Sequence, residues 1–277
     1  MALLPILMIR KALTLRPPEW IALGFFVYLA VATFFARAEV RYRRVGLLLA
    51  SVGSTFVIRA TMMAFDSRIR DWLSAGDLVL AYWLPALIAP TPDVRWERRF
   101  LALDHRWLGR DLARRAEQMP RVLAGLFEFS YLFCYPMVPL GFAILFFSGF
   151  RADADRFWTA VLLAALPCYG LVVWMPMRPP RLLEASTTRS RSMTRALNLQ
   201  VLHHASIQLN TFPSAHVAAS VATTLAVWAR LPPTGAALGV ITIGITVGSV
   251  MRRYHYAVDA IAGLALGIIG FLVSRYG

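Results

Sequence analysis

Apolar stretches long enough to cross a bilayer alternate with polar loops along most of this chain. A membrane-spanning helix needs about 20 mostly apolar residues, and the pattern predicts about eight spans. We expect them at residues 20–36, 45–65, 78–90, 122–150, 157–177, 212–229, 236–251 and 256–273. The third stretch is short, so it spans only if residues 70–75 extend it, and it is otherwise a re-entrant piece. The predicted fold class is therefore all-α, a polytopic membrane helix bundle.

Two polar segments interrupt this pattern. Residues 95–121 are rich in charge, and their apolar positions recur at helical spacing, which predicts an amphipathic helix in the membrane interface. The alternative is a soluble connector that packs on the bundle. Residues 178–211 form a long connection rich in Ser, Thr and Arg, which is typical of a functional or a disordered loop.

The composition supports a membrane protein with basic loops. Hydrophobic residues make up 58% of the 277 residues, and the formal net charge is +14. Lys11 is the only lysine, so nearly all of the positive charge is arginine, whose planar fork matches phosphate oxygens. A GC-rich genome accounts for the same bias. Cys134 and Cys168 lie within apolar runs, which indicates core positions rather than a disulfide.

Cofactor and nucleic-acid sites are not predicted. The sequence has no cluster of Cys and His with zinc spacing and no Walker-type glycine loop, so we expect no metal and no cofactor. Membrane lipids are the expected partners, nucleic acid is not, and the pattern leaves the oligomeric state open.

Two histidine motifs carry the clearest chemistry, and both lie at the edges of predicted spans. Pro213-Ser-Ala-His216 opens a helix, where proline fits the first turn and free N–H groups attract anions. His255 and Asp259 are four residues apart and share a helix face. A carboxylate on one ring nitrogen leaves the other nitrogen free to attack or to accept a proton. The alternative is a buried His–Asp pair that only holds helices together.

Arginines lie close to both motifs in sequence. Arg178-Pro-Pro-Arg181 ends a predicted span, and its prolines fix the backbone that carries the two guanidinium groups. Arg252 and Arg253 precede His255. They form either a clamp that neutralises a phosphate or an ordinary rim of interfacial arginine.

A third group lies within one predicted span. Glu128, Tyr131 and Tyr135 share a helix face at spacings of three and four. They are candidates for a headgroup pocket, and an internal structural ion pair at Glu128 is the alternative.

Together these motifs resemble the type-2 phosphatidic acid phosphatase superfamily, and within it the branch that includes inositol phosphorylceramide synthases. The resemblance covers residues 70–277, so we expect a catalytic core there and additional membrane helices at residues 1–69. It rests on the Arg178, Pro213 and His255 motifs in the family's order. The stretches Leu103-Asp-His-Arg-Trp-Leu-Gly109 and Phe127-Glu-Phe-Ser-Tyr131 are also similar to that branch.

The resemblance implies a six-helix core that transfers phosphate in two steps without a metal. His255 would then be the nucleophile that forms a phosphohistidine, and Asp259 would orient it. His216 would protonate the leaving alcohol and activate the acceptor. The phosphate would be held by Arg178, Arg181, Ser214 and the backbone near Ala215.

The chain departs from the family pattern at three positions. Leu171 stands where the family has lysine, Ala215 where it has glycine, and Ser249 where it has arginine. Arg252 or Arg253 would have to replace the last of these. The departures fit phosphotransferases better than simple phosphatases.

We therefore expect an integral-membrane enzyme that moves a phosphate or a phospho-headgroup from a lipid donor to an alcohol or to water. One alternative is a phosphatase that uses water alone. Alternatives of another class are a lipid transporter or scramblase, with Arg59, Glu128 and Asp259 along a polar path, and a non-catalytic membrane subunit.

Orientation is the last expectation. The eight predicted spans place both histidine motifs and residues 178–181 at one membrane face, whose loops hold 19 basic residues against 9 on the other face. The positive-inside rule therefore favours a cytoplasmic site in a multi-pass protein of a bacterial inner membrane. The resembled family more often faces the periplasm or lumen, so the two indications disagree.

Overall fold

The computed structural model describes residues 15–35, 45–46, 49–50, 52–54, 67–184 and 193–276, without the side chains of Ala113, Glu117 and Ala205. Arg59, which the transport alternative placed along a polar path, lies outside the described residues. The helices are α1 (Pro17–Phe35), α2 (Ser67–Ile88), α3 (Val94–Leu108), α4 (Leu112–Gln118), α5 (Arg121–Leu132), α6 (Cys134–Phe147), α7 (Ala154–Gly170), α8 (Met193–Ala205), α9 (Ala215–Trp228), α10 (Pro232–Met251) and α11 (Ala257–Tyr276). Short 3₁₀ turns occupy Arg151–Asp153, Leu171–Val173 and Pro180–Leu182.

This architecture confirms the all-α prediction, because the described residues contain helices and a single isolated bridge, between Met177 and Asn210. Helix α9 is the centre of the bundle and packs against α6, α7, α10 and α11. Helix α7 also packs against α1, α2 and α11. The core between these helices combines alanines with large aromatic side chains such as Phe142, Phe157 and Trp158.

Glycines on α11 allow this close packing. A Cβ atom at Gly263 would lie 2.5 Å from the carbonyl oxygen of Ser214, and one at Gly267 would lie 2.7 Å from that of Ala218. Small residues let helix backbones approach closely in membranes. The first turns of α9 and α11 are thereby held side by side, and these turns carry the two histidine motifs.

Within the part of the chain that the structure describes, fewer helices qualify as spans than the eight predicted for the whole sequence. Within the described residues, four helices are long and apolar enough to cross a membrane: Pro17–Phe35, Arg151–Val173, Pro232–Met251 and Ala257–Tyr276. The bent pair α5 and α6 makes a fifth if it is one span. Most of the predicted span at residues 45–65 is outside the described residues.

The predicted span at residues 122–150 is broken rather than continuous. Helices α5 and α6 meet at Phe133 with a bend of 58°. Pro136 has no N–H to donate to the carbonyl group of Leu132, and its ring would clash with that carbonyl. The helix therefore ends at Leu132 and starts again at Cys134.

Three other predicted boundaries also differ. Helix α2 is one 22-residue helix that includes residues 67–77, and its charged residues keep it from qualifying as an apolar span. Helix α9 has only 14 residues, because the chain before Ala215 forms the turn that carries the site. The amphipathic segment is two helices, since Gly109 adopts a positive φ of 88° between α3 and α4.

Candidate active site

Backbone hydrogen bonds join the three motif segments. Asn210 N donates to Met177 O at 2.7 Å, which aligns the arginine motif with the start of the first histidine motif. Ser214 N donates to Asp259 O at 2.9 Å, and Arg181 N donates to Arg253 O at 3.0 Å. The three motifs, distant in sequence, therefore form one connected site at the end of α7 and the starts of α9 and α11.

His255 contacts both Asp259 and the second histidine, His216. His255 Nδ1 lies 3.3 Å from Asp259 Oδ2, and His255 Nε2 lies 3.5 Å from His216 Nδ1. A proton on His255 Nδ1 is held by the carboxylate, so Nε2 keeps its lone pair. The free nitrogen of His255 thus points at the second histidine.

Asp259 is fully buried and accepts further hydrogen bonds at the same oxygen. Asn210 Nδ2 donates to Oδ2 at 2.8 Å, and the backbone N–H of Tyr256 donates to it at 3.0 Å. These two hydrogen bonds hold the carboxylate of Asp259 in the orientation that contacts His255. Asn210 follows no motif pattern of its own, and the sequence analysis missed it.

Arg181 supplies the positive charge next to the histidines. Among the described residues its side chain makes no salt bridge or hydrogen bond, and its guanidinium group lies 5.6 Å from the ring centroid of Tyr254. Burial first, and the charge of Arg181 second, lower the pKa of His255 to about 3. His255 is consequently neutral near pH 7, and Arg181 is available to an anion.

Arg178 is placed differently from the expectation that it holds phosphate. Its Nε and Nη2 atoms each donate to a Glu97 carboxylate oxygen at 2.9 Å, and its backbone N–H also donates to Glu97. Hydrogen bonding to Arg178 lowers the pKa of Glu97. The guanidinium group, 44% exposed, connects the loop after α7 to α3.

Arg252 and Arg253 are also committed to carboxylates. Arg252 Nε donates to Glu128 at 2.6 Å. Arg253 donates from Nη1 to Asp104 and from Nε to Glu184, both at 2.7 Å. Both arginines therefore neutralise protein carboxylates, and Arg253 positions Arg181 through its backbone carbonyl.

Glu128 is the centre of a buried ion-pair network, the structural alternative that its sequence position left open. Besides Arg252, it accepts hydrogen bonds from Arg195 at 3.0 Å, from Asn198 at 2.6 Å and from Tyr254 at 2.6 Å. The network connects α5 and α8 to the turn before His255.

The helix face predicted for Glu128, Tyr131 and Tyr135 is divided by the break at Phe133, which leaves Tyr131 in α5 and Tyr135 in α6, and both tyrosines lie beside His216. The rings of Tyr131 and Tyr135 each have their centroid 5.7 Å from that of His216. Tyr131 also stacks on Tyr254 at 3.9 Å. The hydroxyl of Tyr135 is buried and has no hydrogen-bond partner among the described residues. The rings of Tyr131 and Tyr135 thus pack against His216.

Ser214 is the N-cap of α9. Its Oγ accepts from Val217 N at 3.4 Å, and the side chain is fully buried. Ala215 N donates to Thr211 Oγ1 at 3.3 Å. These bonds fix the first turn of α9, and with it the position of His216.

Several site carboxylates and their partners were not predicted. Asp104 Oδ1 accepts from Ala257 N at 2.8 Å, so α3 caps the first turn of α11. Asp104 belongs to residues 103–109, a stretch whose similarity to the resembled family has been described. That similarity was a signal that could have identified Asp104 as a site residue. Glu97 and Arg195 had no such signal, because charged positions on an amphipathic helix are usually solvated.

The comparisons with known proteins agree with the geometry. The family model described as PAP2 superfamily matches residues 95–273, more than half of the chain. The match begins in α3 and ends in α11, so it includes all the motif segments. Neither a curated protein nor a solved structure matched the chain.

Proposed function

The chain belongs to the PAP2 superfamily, and from that membership and the histidine pair we propose a two-step lipid phosphotransferase or phosphatase of the membrane. The membership itself makes the chain an enzyme of the phosphatase or phosphotransferase type. The observation that carries the finer proposal is the line Asp259–His255–His216, with Nδ1 of His255 at the carboxylate and Nε2 at the second histidine.

In the first step, Nε2 of His255 attacks the phosphorus of the lipid donor. A P–N bond forms, and the P–O bond to the lipid alcohol breaks. His216 gives a proton to the leaving oxygen, so the alcohol departs neutral. Asp259 accepts the hydrogen bond from Nδ1 and stabilises the positive charge that develops on the ring of His255.

In the second step, the roles of His216 reverse. It takes a proton from water or from an acceptor alcohol, whose oxygen attacks the phosphorus while the P–N bond breaks. His255 returns to its neutral form, and the phosphate leaves on the acceptor. The same pair of histidines serves hydrolysis and transfer, so the acceptor decides which product forms.

Arg181 is the arginine best placed to hold the transferred phosphate. It has no carboxylate partner among the described residues, whereas Arg178 and Arg252 each have one and Arg253 has two. A guanidinium group near the equatorial oxygens stabilises the charge of the transition state. The Tyr135 hydroxyl, which has no described partner, is a second polar group that a donor can use beside His216.

A transport function has less support. Two of the residues expected along a transport path, Glu128 and Asp259, lie in separate hydrogen-bond networks, each closed by arginine, amide or backbone donors. Nothing in the described residues joins these networks into a continuous polar path.

The test is a purified-protein assay with a panel of lipid phosphates and phosphodiesters, with and without alcohol acceptors. We expect release or transfer of phosphate by the native protein, none by His255→Ala, and no loss with EDTA. Unchanged activity in His255→Ala would exclude the proposed nucleophile. Strong inhibition by EDTA would exclude the metal-independent route. The acceptor that raises turnover distinguishes a transferase from a phosphatase.

A further inference from the structure

A second pocket lies at the end of the bundle opposite the histidines. The start of α7 and the ends of α9 and α11 enclose a cavity of about 240 Å³. Helices α9 and α11 begin beside His216 and His255 and run away from them. With a rise of about 1.5 Å per residue, the 16 residues from Asp259 to Arg275 place this cavity about 25 Å from the site. It is therefore a separate feature at the other membrane face.

The rim of this pocket is basic. Arg156, Arg230 and Arg275 line it together with one carboxylate, Asp153. Arg230 donates two hydrogen bonds to Asp153, both at 2.8 Å, and Arg156 lies 3.6 Å from the same carboxylate. Arg275 is exposed and has no ion pair among the described residues. The pocket thus carries three positive charges against one negative charge.

The floor and walls of the pocket are apolar. Phe157 and Leu145 are almost completely buried beneath the arginines, and Ala226, Ala229 and Phe271 complete the lining. On α11, Leu272 and Val273 are exposed beside it and extend the apolar surface towards the middle of the helix. A phospholipid has a charged headgroup and apolar acyl chains. The basic rim of the pocket matches the first part, and the apolar wall matches the second.

We propose that this pocket binds the headgroup of an anionic glycerophospholipid as a non-substrate ligand. The phosphate accepts hydrogen bonds from Arg156 and Arg275, while Arg230 remains paired with Asp153. The acyl chains lie along Leu272 and Val273 towards the bilayer centre. Basic pockets between membrane helices favour anionic lipids, because the headgroup of such a lipid has no cation to offset the phosphate charge that the arginines neutralise.

The experiment compares lipid retention by native mass spectrometry of the purified full chain. The probes are phosphatidylglycerol, phosphatidylcholine and soluble glycerol phosphate. The test variant is Arg156→Gln with Arg275→Gln, and both positions are exposed, so folding is preserved. The matched control is Arg106→Gln with Arg110→Gln, which removes two exposed charges away from the pocket.

We expect the test variant to bind phosphatidylglycerol at least about tenfold more weakly than the native chain, with the control unchanged and phosphatidylcholine unaffected. Equal binding by the test variant and the native chain would overturn the proposal. Equal losses in the two double variants would also overturn it, because the effect would be general charge. If soluble glycerol phosphate bound as tightly as phosphatidylglycerol, the acyl chains would contribute nothing to binding. The pocket would then be a phosphate site, which would contradict the lipid proposal. None of these outcomes bears on the histidine site, which shares no residue with the pocket.

Discussion

His255 lies in the turn before α11 and Asp259 in the first turn of that helix, and the Nδ1 atom of the histidine lies 3.3 Å from the carboxylate oxygen Oδ2. Because Asp259 is fully buried and is held by Asn210 and the Tyr256 amide, the histidine ring has one orientation in which it completes this bond. That orientation directs Nε2 at His216. The carboxylate therefore leaves Nε2 as the ring nitrogen of His255 that is free to act as the proposed nucleophile.

If His216 protonates the leaving alcohol, its loss should matter most for poor leaving groups. We expect His216→Asn to reduce phosphate transfer from a lipid alcohol ester by about 10² to 10⁴-fold. An aryl phosphate donor, whose leaving group needs no proton, should lose far less in the first step. Burst kinetics with both donors measure the difference.

The control for this experiment is His203→Asn, a substitution at an exposed histidine on α8. It should retain native rates with both donors. An equal loss of rate with the aryl and the alkyl donor in His216→Asn would contradict the acid role.

Asn210 is expected to act as a positioning residue through Asp259. Removing its hydrogen bond to a buried carboxylate, in Asn210→Ala, should lower kcat by about 10- to 100-fold and leave KM nearly unchanged. Asn198→Ala is the comparison, because Asn198 bonds instead to Glu128. A raised KM with unchanged kcat in Asn210→Ala would show that Asn210 binds the donor directly.

Substitutions of Arg181 and Arg178 should affect different properties, although the two residues lie three positions apart: the first should lower activity and the second should lower thermal stability. Arg181→Gln removes a cation without a described carboxylate partner, so we expect weaker substrate binding and slower turnover with an unchanged melting temperature. Arg178→Gln leaves the buried carboxylate of Glu97 without its guanidinium partner, so we expect a lower melting temperature. Thermal unfolding and steady-state kinetics of both variants check this. The reverse assignment of effects would place the phosphate at Arg178.

The pKa of His255 gives a prediction for its protonation. An ordinary imidazole gains a proton as the pH falls through 6.5, whereas burial and Arg181 lower the pKa of His255 to about 3. His255 should therefore stay neutral from pH 7.5 down to pH 5. Histidine ¹⁵N NMR of the purified protein, assigned through His255→Ala, measures this. A titration midpoint near 6.5 would contradict the buried, Arg181-adjacent position.

The part of the site that depends on local spacing was predictable from the sequence. The separation of four predicted the contact between His255 and Asp259, although His255 lies in the turn before α11 and not on the helix itself. The predicted spans also brought both histidine motifs to one face of the bundle. The break at Phe133 was not predicted, although Pro136 was a visible signal for it. Hydropathy alone favours one long span because both halves are apolar.

The partners of the arginines could not be predicted in the same way. Glu97 and Asp104 lie on an amphipathic helix, and their contacts with Arg178 and Arg253 join residues 81 and 149 positions apart. Nothing in local spacing distinguishes a carboxylate that meets a distant arginine from one that faces water. Phosphate binding by Arg178, Arg252 and Arg253 stays a prediction, and Arg181, which has no carboxylate partner among the described residues, is the best placed of the four arginines.

The central claim is a covalent phosphohistidine at His255, and rapid-quench trapping tests it most directly. The native protein and His216→Asn are mixed with a ³²P-labelled lipid phosphate, quenched in alkali, digested and mapped by mass spectrometry. We predict an acid-labile, alkali-stable label on the peptide that contains His255, with more label in His216→Asn when an aryl phosphate is the donor. Product formation without any label on His255, or a label on His216 instead, would contradict the account.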